Sequence, residues 1–260
     1  MNAPRKGAVR AAGIPADVLR ALSHGELSSA TLAECLALDQ ATLERTVFPD
    51  VPAAVREAID AACGLGILQR MARIGALLLE ALGEDGIAQC RAHGADTVRG
   101  WACFMVDAQT LPDLHARLGA IRPLADDAHF GVREWAWMAV RPHLAQELEA
   151  SIAYLSAWTA EPSERLRRFA SEALRPRGVW CSHIAALKAD PEQALPVLSP
   201  LLCPGRGRQL AGRCRQEPAR LGARPVRAVD AGRTGRCHGA HLPARRAQAR
   251  RIRPYRRGMK

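Results

Sequence analysis

No apolar run in this chain approaches the roughly 18 residues a membrane-spanning helix needs, so a transmembrane reading is excluded. Aromatic residues make up only 4% of the chain, and the stretch 203–260 has neither Trp nor Phe. Acids are nearly absent from that stretch as well. Glu217 and Asp230 stand there against 17 basic residues, a net of +15, while residues 1–202 carry a net of −4. The overall +11 is therefore a property of 203–260 alone. With no apolar period of 2 or 3.6 residues, the stretch cannot bury enough surface to offset the entropy of ordering it, and it is expected to be disordered. Two origins fit its Arg/Gly/Pro content: a basic arm that binds phosphates, or the product of a shifted reading frame in a GC-rich gene. Its start at Leu202-Cys203 falls where a further helix of the repeat described below is expected, so it reads as out of frame and the helical domain as incomplete at that end.

The cysteines before it, Cys35, Cys63, Cys90, Cys103 and Cys181, are odd in number and form no CxxC pair. Nothing ahead of them has the form of a signal peptide. They read as reduced core or surface thiols of a cytoplasmic protein. Cys237-His238 with His241 mimics a metal-ligand spacing but offers only three ligands, and no metal site is assigned. Residues 1–14, with Arg5, Lys6 and Arg10, show no pattern and are expected to be a loose end.

What the chain does have is a period. Val98-Arg99-Gly100-Trp101-Ala102, Val132-Arg133-Glu134-Trp135-Ala136 and Leu166-Arg167-Arg168-Phe169-Ala170 recur at a spacing of 34 residues, a signature of stacked helical repeats. Met105 and Val106, Ala139 and Val140, and Ala173 and Leu174 extend each copy, giving the wide apolar stripe of a helix packed on a neighbour. Asp126-Asp127 and Glu161-Pro162-Ser163 read as starts of the second and third of these helices. Partner helices are expected at 111–124 and 144–158, so one unit is helix A, turn, helix B. Short helices between Pro15 and Leu43, with Ser28-Ser29 as a capping signal, and longer ones at 51–62 and 67–82 are expected to cap the array. The fold class is all-α, an α-α superhelix of HEAT-like repeats over 15–202.

Glu134 lies about 200° round its helix from Val132, on the face the stripe leaves free. Arg168 occupies the equivalent position one repeat on, and Glu172 follows one turn later. In a superhelical stack the B helices line the concave side, so these residues would face one groove. Arg165, Arg167, Arg168, Arg175 and Arg177 fall within 13 residues of an otherwise acidic body, which points to a polyanion partner. Pro176 and Gly178 break the helix, and Trp180 follows at the lip of that groove. Trp101, Trp135 and Phe169 read as core. Trp137 suits either packing or the groove, and Arg133 and Arg167 sit at the stripe's edge. Trp180-Cys181-Ser182-His183 has no oriented acid or elbow motif that would make a nucleophile of it, and reads as a surface turn.

The segments Phe130-Gly131-Val132-Arg133-Glu134-Trp135-Ala136-Trp137, Arg165-Leu166-Arg167-Arg168-Phe169-Ala170-Ser171-Glu172 and Arg175-Pro176-Arg177-Gly178-Val179-Trp180 resemble the HEAT-repeat DNA alkylation repair glycosylases, AlkC branch, over about residues 15–202. The resemblance implies hydrolysis of the N-glycosidic bond of cationic N3-alkylated adenine or cytosine in duplex DNA, without extrusion of the base into a deep pocket. It implies Glu134 and Glu172 as carboxylates near the deoxyribose, Trp180 as an aromatic wall and Arg168 as a phosphate anchor. Arg133, Arg165, Arg167, Arg175, Arg177 and Trp137 join it as DNA-binding candidates. It calls for no cofactor and no metal, and for a monomer that is nucleoid-associated when bound to DNA. The family's further repeat, expected after Leu202 with another acid for the site, is missing, which puts turnover in doubt. The alternative is a non-catalytic HEAT scaffold that binds protein or nucleic acid.

Overall fold

The computed structural model describes residues 5–178 and 180–202, and among these the chain is all-α. After a 3-10 turn at Ala11–Gly13 come α1 (Ala16–Ser23), α2 (Leu32–Ala37), α3 (Gln40–Val47) and α4 (Ala53–Ala62). Then follow α5 (Ile67–Ala92), α6 (Asp96–Ala108), α7 (Leu114–Ala125), α8 (Phe130–Gln146), α9 (Leu148–Trp158) and α10 (Glu164–Ala173). The short α11 (Ala185–Ala189), a 3-10 turn at Pro191–Ala194 and α12 (Leu195–Leu202) complete it. Residues 203–260, including Cys237, His238 and His241, lie outside the described residues, so the readings made of them do too.

The three copies of the 34-residue register are α6, α8 and α10. Each apolar position of the stripe is buried in all three, from Val98, Val132 and Leu166 through Val106, Val140 and Leu174. α8 packs on both α6 and α10, so the B helices form a continuous row, with α7 and α9 as their A partners. α5 packs along α6 and takes the A position of the first pair. It extends ten residues beyond the expected 67–82, because Gly83, with φ +63°, bends the chain and the helix resumes after it.

Gly100 has a packing reason. A Cβ there would come within 2.8 Å of Trp135 Cδ1, so the bare backbone lets the indole of α8 seat against α6. Trp101 fills the space beside it, fully buried, and its Nε1 donates to Gln40 Oε1 at 3.2 Å.

The arginine that recurs in the register does the same job three times. Nη1 of Arg99 donates to the carbonyls of His93 and Gly94 at 2.8 and 2.7 Å. Nη1 of Arg133 reaches Asp127 O and Ala128 O, both at 2.8 Å, and Nη1 of Arg167 reaches Glu161 O and Pro162 O at 2.6 and 2.8 Å. Each side chain thus folds back on the turn that precedes its own helix and satisfies two carbonyls with no partner in either helix. Further bonds stitch neighbouring repeats: Arg99 Nε to Asp127 at 2.9 Å, Arg122 to Glu161 at 2.9 Å, and Arg165 Nη1 to Asp126 O at 3.0 Å.

Several boundaries differ from the sequence reading. α8 starts at Phe130 rather than beside Asp126-Asp127, because His129 is its N-cap: Nδ1 accepts from Gly131 N at 3.1 Å, while Asp127 accepts from His129 N. The helix then runs through Pro142, its last turn anchored by the fully buried Leu144, which moves the start of α9 to Leu148. The cap of α2 is Thr31, not Ser28-Ser29. Those serines turn to the first repeat instead, Ser28 Oγ to Gly94 O at 2.8 Å and Ser29 Oγ to the buried Asp96 at 2.6 Å. Residues 5–8, read as part of a loose end, are tied to α2. Arg5 grips the buried Glu34 carboxylate at 2.6 and 2.7 Å, Ala8 N donates to it at 3.0 Å, and Thr31 Oγ1 donates to Ala8 O. Glu34 supplies the reason, since a buried carboxylate requires a cation or several donors.

Candidate functional site

The sequence places Glu134, Arg168 and Glu172 on one face, and the structure joins them. Arg168 Nη2 lies 3.0 Å from Glu134 Oε1 on the preceding B helix and 3.8 Å from Glu172 Oε1 one turn along its own. One nitrogen therefore spans both carboxylates, which sit within a single nucleotide's reach. Arg175, just past the end of α10, adds a second guanidinium, with Nη1 at 2.8 Å from Glu172 Oε2. That approach is too oblique for a hydrogen bond, and Oε2 is buried without one. Glu172 is thus pinned between two cations.

Exposure separates the members of this group. The Glu172 side chain is 14% exposed, whereas those of Arg168 and Arg175 are 61% and 56% exposed. Ion pairs with a partner this exposed are worth about 0–1 kcal/mol, so either guanidinium can exchange its carboxylate for another anion at little cost.

Trp137, which the sequence leaves between packing and the groove, packs inward. It is buried, and its Nε1 donates to Glu134 Oε2 at 2.9 Å, which fixes the carboxylate from behind. Trp135 is buried as the stripe requires, and Trp180 stacks on it with ring centroids 6.2 Å apart. Trp180 itself is 37% exposed, an aromatic surface laid over Trp135. Arg133, Arg165 and Arg167 are engaged elsewhere: their guanidinium groups bind backbone carbonyls in the turns. Arg177 is exposed in the segment after α10.

A cavity of about 590 Å³ opens beside Trp180, lined by the start of α5, by Met138, Arg141 and Pro142 of α8, and by residues 180–183. Trp180-Cys181-Ser182-His183, read as a surface turn, forms one wall of it. Neither Glu134 nor Glu172 lines this cavity, although Glu134 shares the α8 face of Met138 and Arg141. Two residues here escape the sequence reading. Phe130, 37% exposed, lies one turn before Glu134 on the same face, and its signal is the four-residue spacing. Arg141 is almost wholly buried and gives no local signal.

The cysteines offer no nucleophile among those whose acidity shifts. Burial pushes the thiols of Cys35 and Cys90 up to about 12 and raises those of Cys63 and Cys103, which keeps them protonated. Among the described residues no group of His, Cys, Asp and Glu is gathered as a metal site, and no helix is long and apolar enough to cross a membrane.

No protein-family model matches the chain. The uncharacterized protein YhaZ of Bacillus subtilis (strain 168) is 41% identical over 83 residues, covering 32% of this chain and 22% of that protein. Among solved structures, the chain is similar to the Pseudomonas fluorescens alkylpurine DNA glycosylase AlkC bound to DNA containing an abasic site analog. The TM-score is 0.49 and the identity 22%, over 70% of this chain and 47% of that one. The chain thus spans about a fifth of the curated relative and just under half of the solved structure.

Proposed function

We propose that this chain carries the site of a monofunctional DNA glycosylase, which binds duplex DNA across the B helices and hydrolyses the N-glycosidic bond of cationic N3-alkylated bases such as 3-methyladenine and 3-methylcytosine. The observation that carries the reading is the Glu134–Arg168–Glu172–Arg175 cluster, in which acids and exposed guanidinium groups from successive repeats meet. An alkylated cationic base is already a good leaving group, so the chemistry needs charge stabilisation of an oxocarbenium-like sugar and one positioned water. Arg168 and Arg175 turn to backbone phosphates, leaving Glu134 and Glu172 facing the sugar. Held in place by Trp137 Nε1, Glu134 stabilises the developing positive charge. Glu172, once Arg168 and Arg175 have turned to phosphates, accepts a proton from the attacking water. Trp180 lies against the sugar or the cationic base and adds about 0.5–2 kcal/mol of cation–π attraction. The site works with side chains alone.

The test is incubation of the protein with methylated duplex DNA, followed by assay for free base and alkali-labile sites. Release that disappears in Glu172→Gln supports the reading, and no release at any enzyme concentration ends it.

A second reading has one observation in its favour: both carboxylates are already paired with guanidinium groups, as in a helical-repeat scaffold that binds protein or nucleic acid without chemistry. It predicts DNA or protein binding that Glu172→Gln leaves unchanged, with no base release in the parent protein.

A further inference from the structure

Arg141 is buried to 2% exposure on α8, and no carboxylate lies within ion-pair distance of it among the described residues. A guanidinium in that setting stays charged and must be satisfied by dipoles. Nη1 donates to Ala173 O at 2.8 Å, the carbonyl that ends α10 and carries the negative end of its dipole. Nη2 donates to Arg175 O, and Nε to Ser182 O at 3.2 Å. A planar fork thus holds the end of α10 and two points of the irregular chain that follows it, on both sides of Trp180. Ile184 N closes the base of the same segment on Pro176 O at 3.1 Å. On its other side the Arg141 guanidinium carbon lies 6.0 Å from the Trp137 ring, whose Nε1 holds Glu134. One side chain therefore binds the backbone at Arg175 and at Ser182, close to Trp180, and lies over the indole behind Glu134.

We propose that Arg141 is the positioning residue of this site, holding Trp180 on Trp135 and Arg175 beside Glu172. The bearing of that role on catalysis rests on the glycosylase reading, but the role itself does not. Lysine keeps the charge yet cannot present three donors in one plane, so Arg141→Lys separates positioning from charge.

The experiment follows Trp180 in the full chain by acrylamide quenching, with Trp180→Phe as the subtraction control. The other four tryptophans, Trp101, Trp135, Trp137 and Trp158, are buried, so the accessible signal comes from Trp180. Arg141→Lys is expected to keep the helical circular-dichroism signal and to lower the unfolding midpoint by no more than about 8 °C. In the same variant the Trp180 quenching constant rises about twofold or more, and exchange of the Ile184 amide speeds up. Arg141→Met, which removes charge and donors together, shows the larger rise. Should Arg141→Met fail to fold, the lysine variant alone decides. Unchanged quenching and unchanged Ile184 exchange in Arg141→Lys overturn the proposal. Loss of the helical signal in that variant also overturns it, because Arg141 would then hold the fold as a whole. Neither readout involves DNA, so a protein that shows both yet releases no base refutes the glycosylase reading and leaves this one standing.

Discussion

Adjacent positions of the 34-residue register behave in opposite ways. At 99, 133 and 167 the residue is arginine in every copy, and each time the guanidinium closes the turn before its own helix on a pair of carbonyls. At 100, 134 and 168 the residues are glycine, glutamate and arginine, doing three different things. Gly100 makes room for Trp135, Glu134 offers a carboxylate, and Arg168 bridges that carboxylate to the next. The constant position builds the repeat, and the varied one makes each repeat particular. An arginine's neighbours along the chain thus say little about its task; its register position says more.

The sharpest way to break the comparison is at the varied face. If it holds a catalytic site, Glu172→Gln removes the charge with little change of shape, and base release from methylated duplex DNA falls about 100-fold or more, the scale of losing one preorganised electrostatic group. DNA affinity changes by no more than about twofold, because the phosphate contacts remain. An equal loss in binding and release would instead assign Glu172 to holding Arg168 and Arg175 in place.

The constant position answers to stability. Arg133→Ala or Arg167→Ala strips two turn carbonyls of a charged donor, and each change should cost about 2 kcal/mol in denaturant unfolding. The salt dependence of DNA binding should stay as it is in the parent protein. A reduced salt slope with unchanged stability would return these arginines to the DNA-binding set.

Why the two positions separate so poorly in sequence has a physical cause. Burial of the stripe is periodic, so its register is legible from residue types alone, and with it the all-α class, the A–B pairing and the shared face of Glu134 and Arg168. The recurrence of Arg99, Arg133 and Arg167 is equally visible, yet recurrence alone does not tell a carbonyl clamp from a basic stripe. That distinction depends on which way a long flexible side chain bends, and the turn carbonyls that decide it belong to every sequence. Arg141 is harder still. It sits on the free face of α8 by angle, and it is buried only because the chain after α10 folds over it, through partners at Ala173, Arg175 and Ser182 that no local spacing connects to it. Trp137 fails for the same reason, since its indole could turn to solvent or, as it does, to Glu134.

Arg168 tests the varied position from the cationic side with a smaller effect. Its guanidinium is 61% exposed and shared between two acids, so Arg168→Ala should weaken DNA binding by only a few-fold and reduce the salt slope by about 1, as for the loss of one phosphate contact. Fold stability should barely move, because pairs this exposed contribute little. A drop in stability as large as that of Arg167→Ala would erase the distinction between the two register positions.

The pair of Arg5 with Glu34 supplies a third kind of arginine, one whose carboxylate is fully buried, and its effect is read in pH. The Arg5 hydrogen bonds, helped by the amides of Ala30 and Ala8, hold the Glu34 carboxyl at about 2, well below its ordinary 4.5. A depressed value means that the folded chain takes up this proton less readily than the unfolded one. The pair's stabilisation is therefore complete above about 4.5 and fades as pH falls toward about 2. Arg5→Ala brings the carboxyl back toward its ordinary range, so the variant should unfold at lower urea than the parent at neutral pH. The gap should close steadily as the pH is lowered through that interval. A gap that stayed constant with pH would mean that residues 5–8 hold the first helices by packing alone, and that Glu34 titrates in the folded chain as it does in the unfolded one.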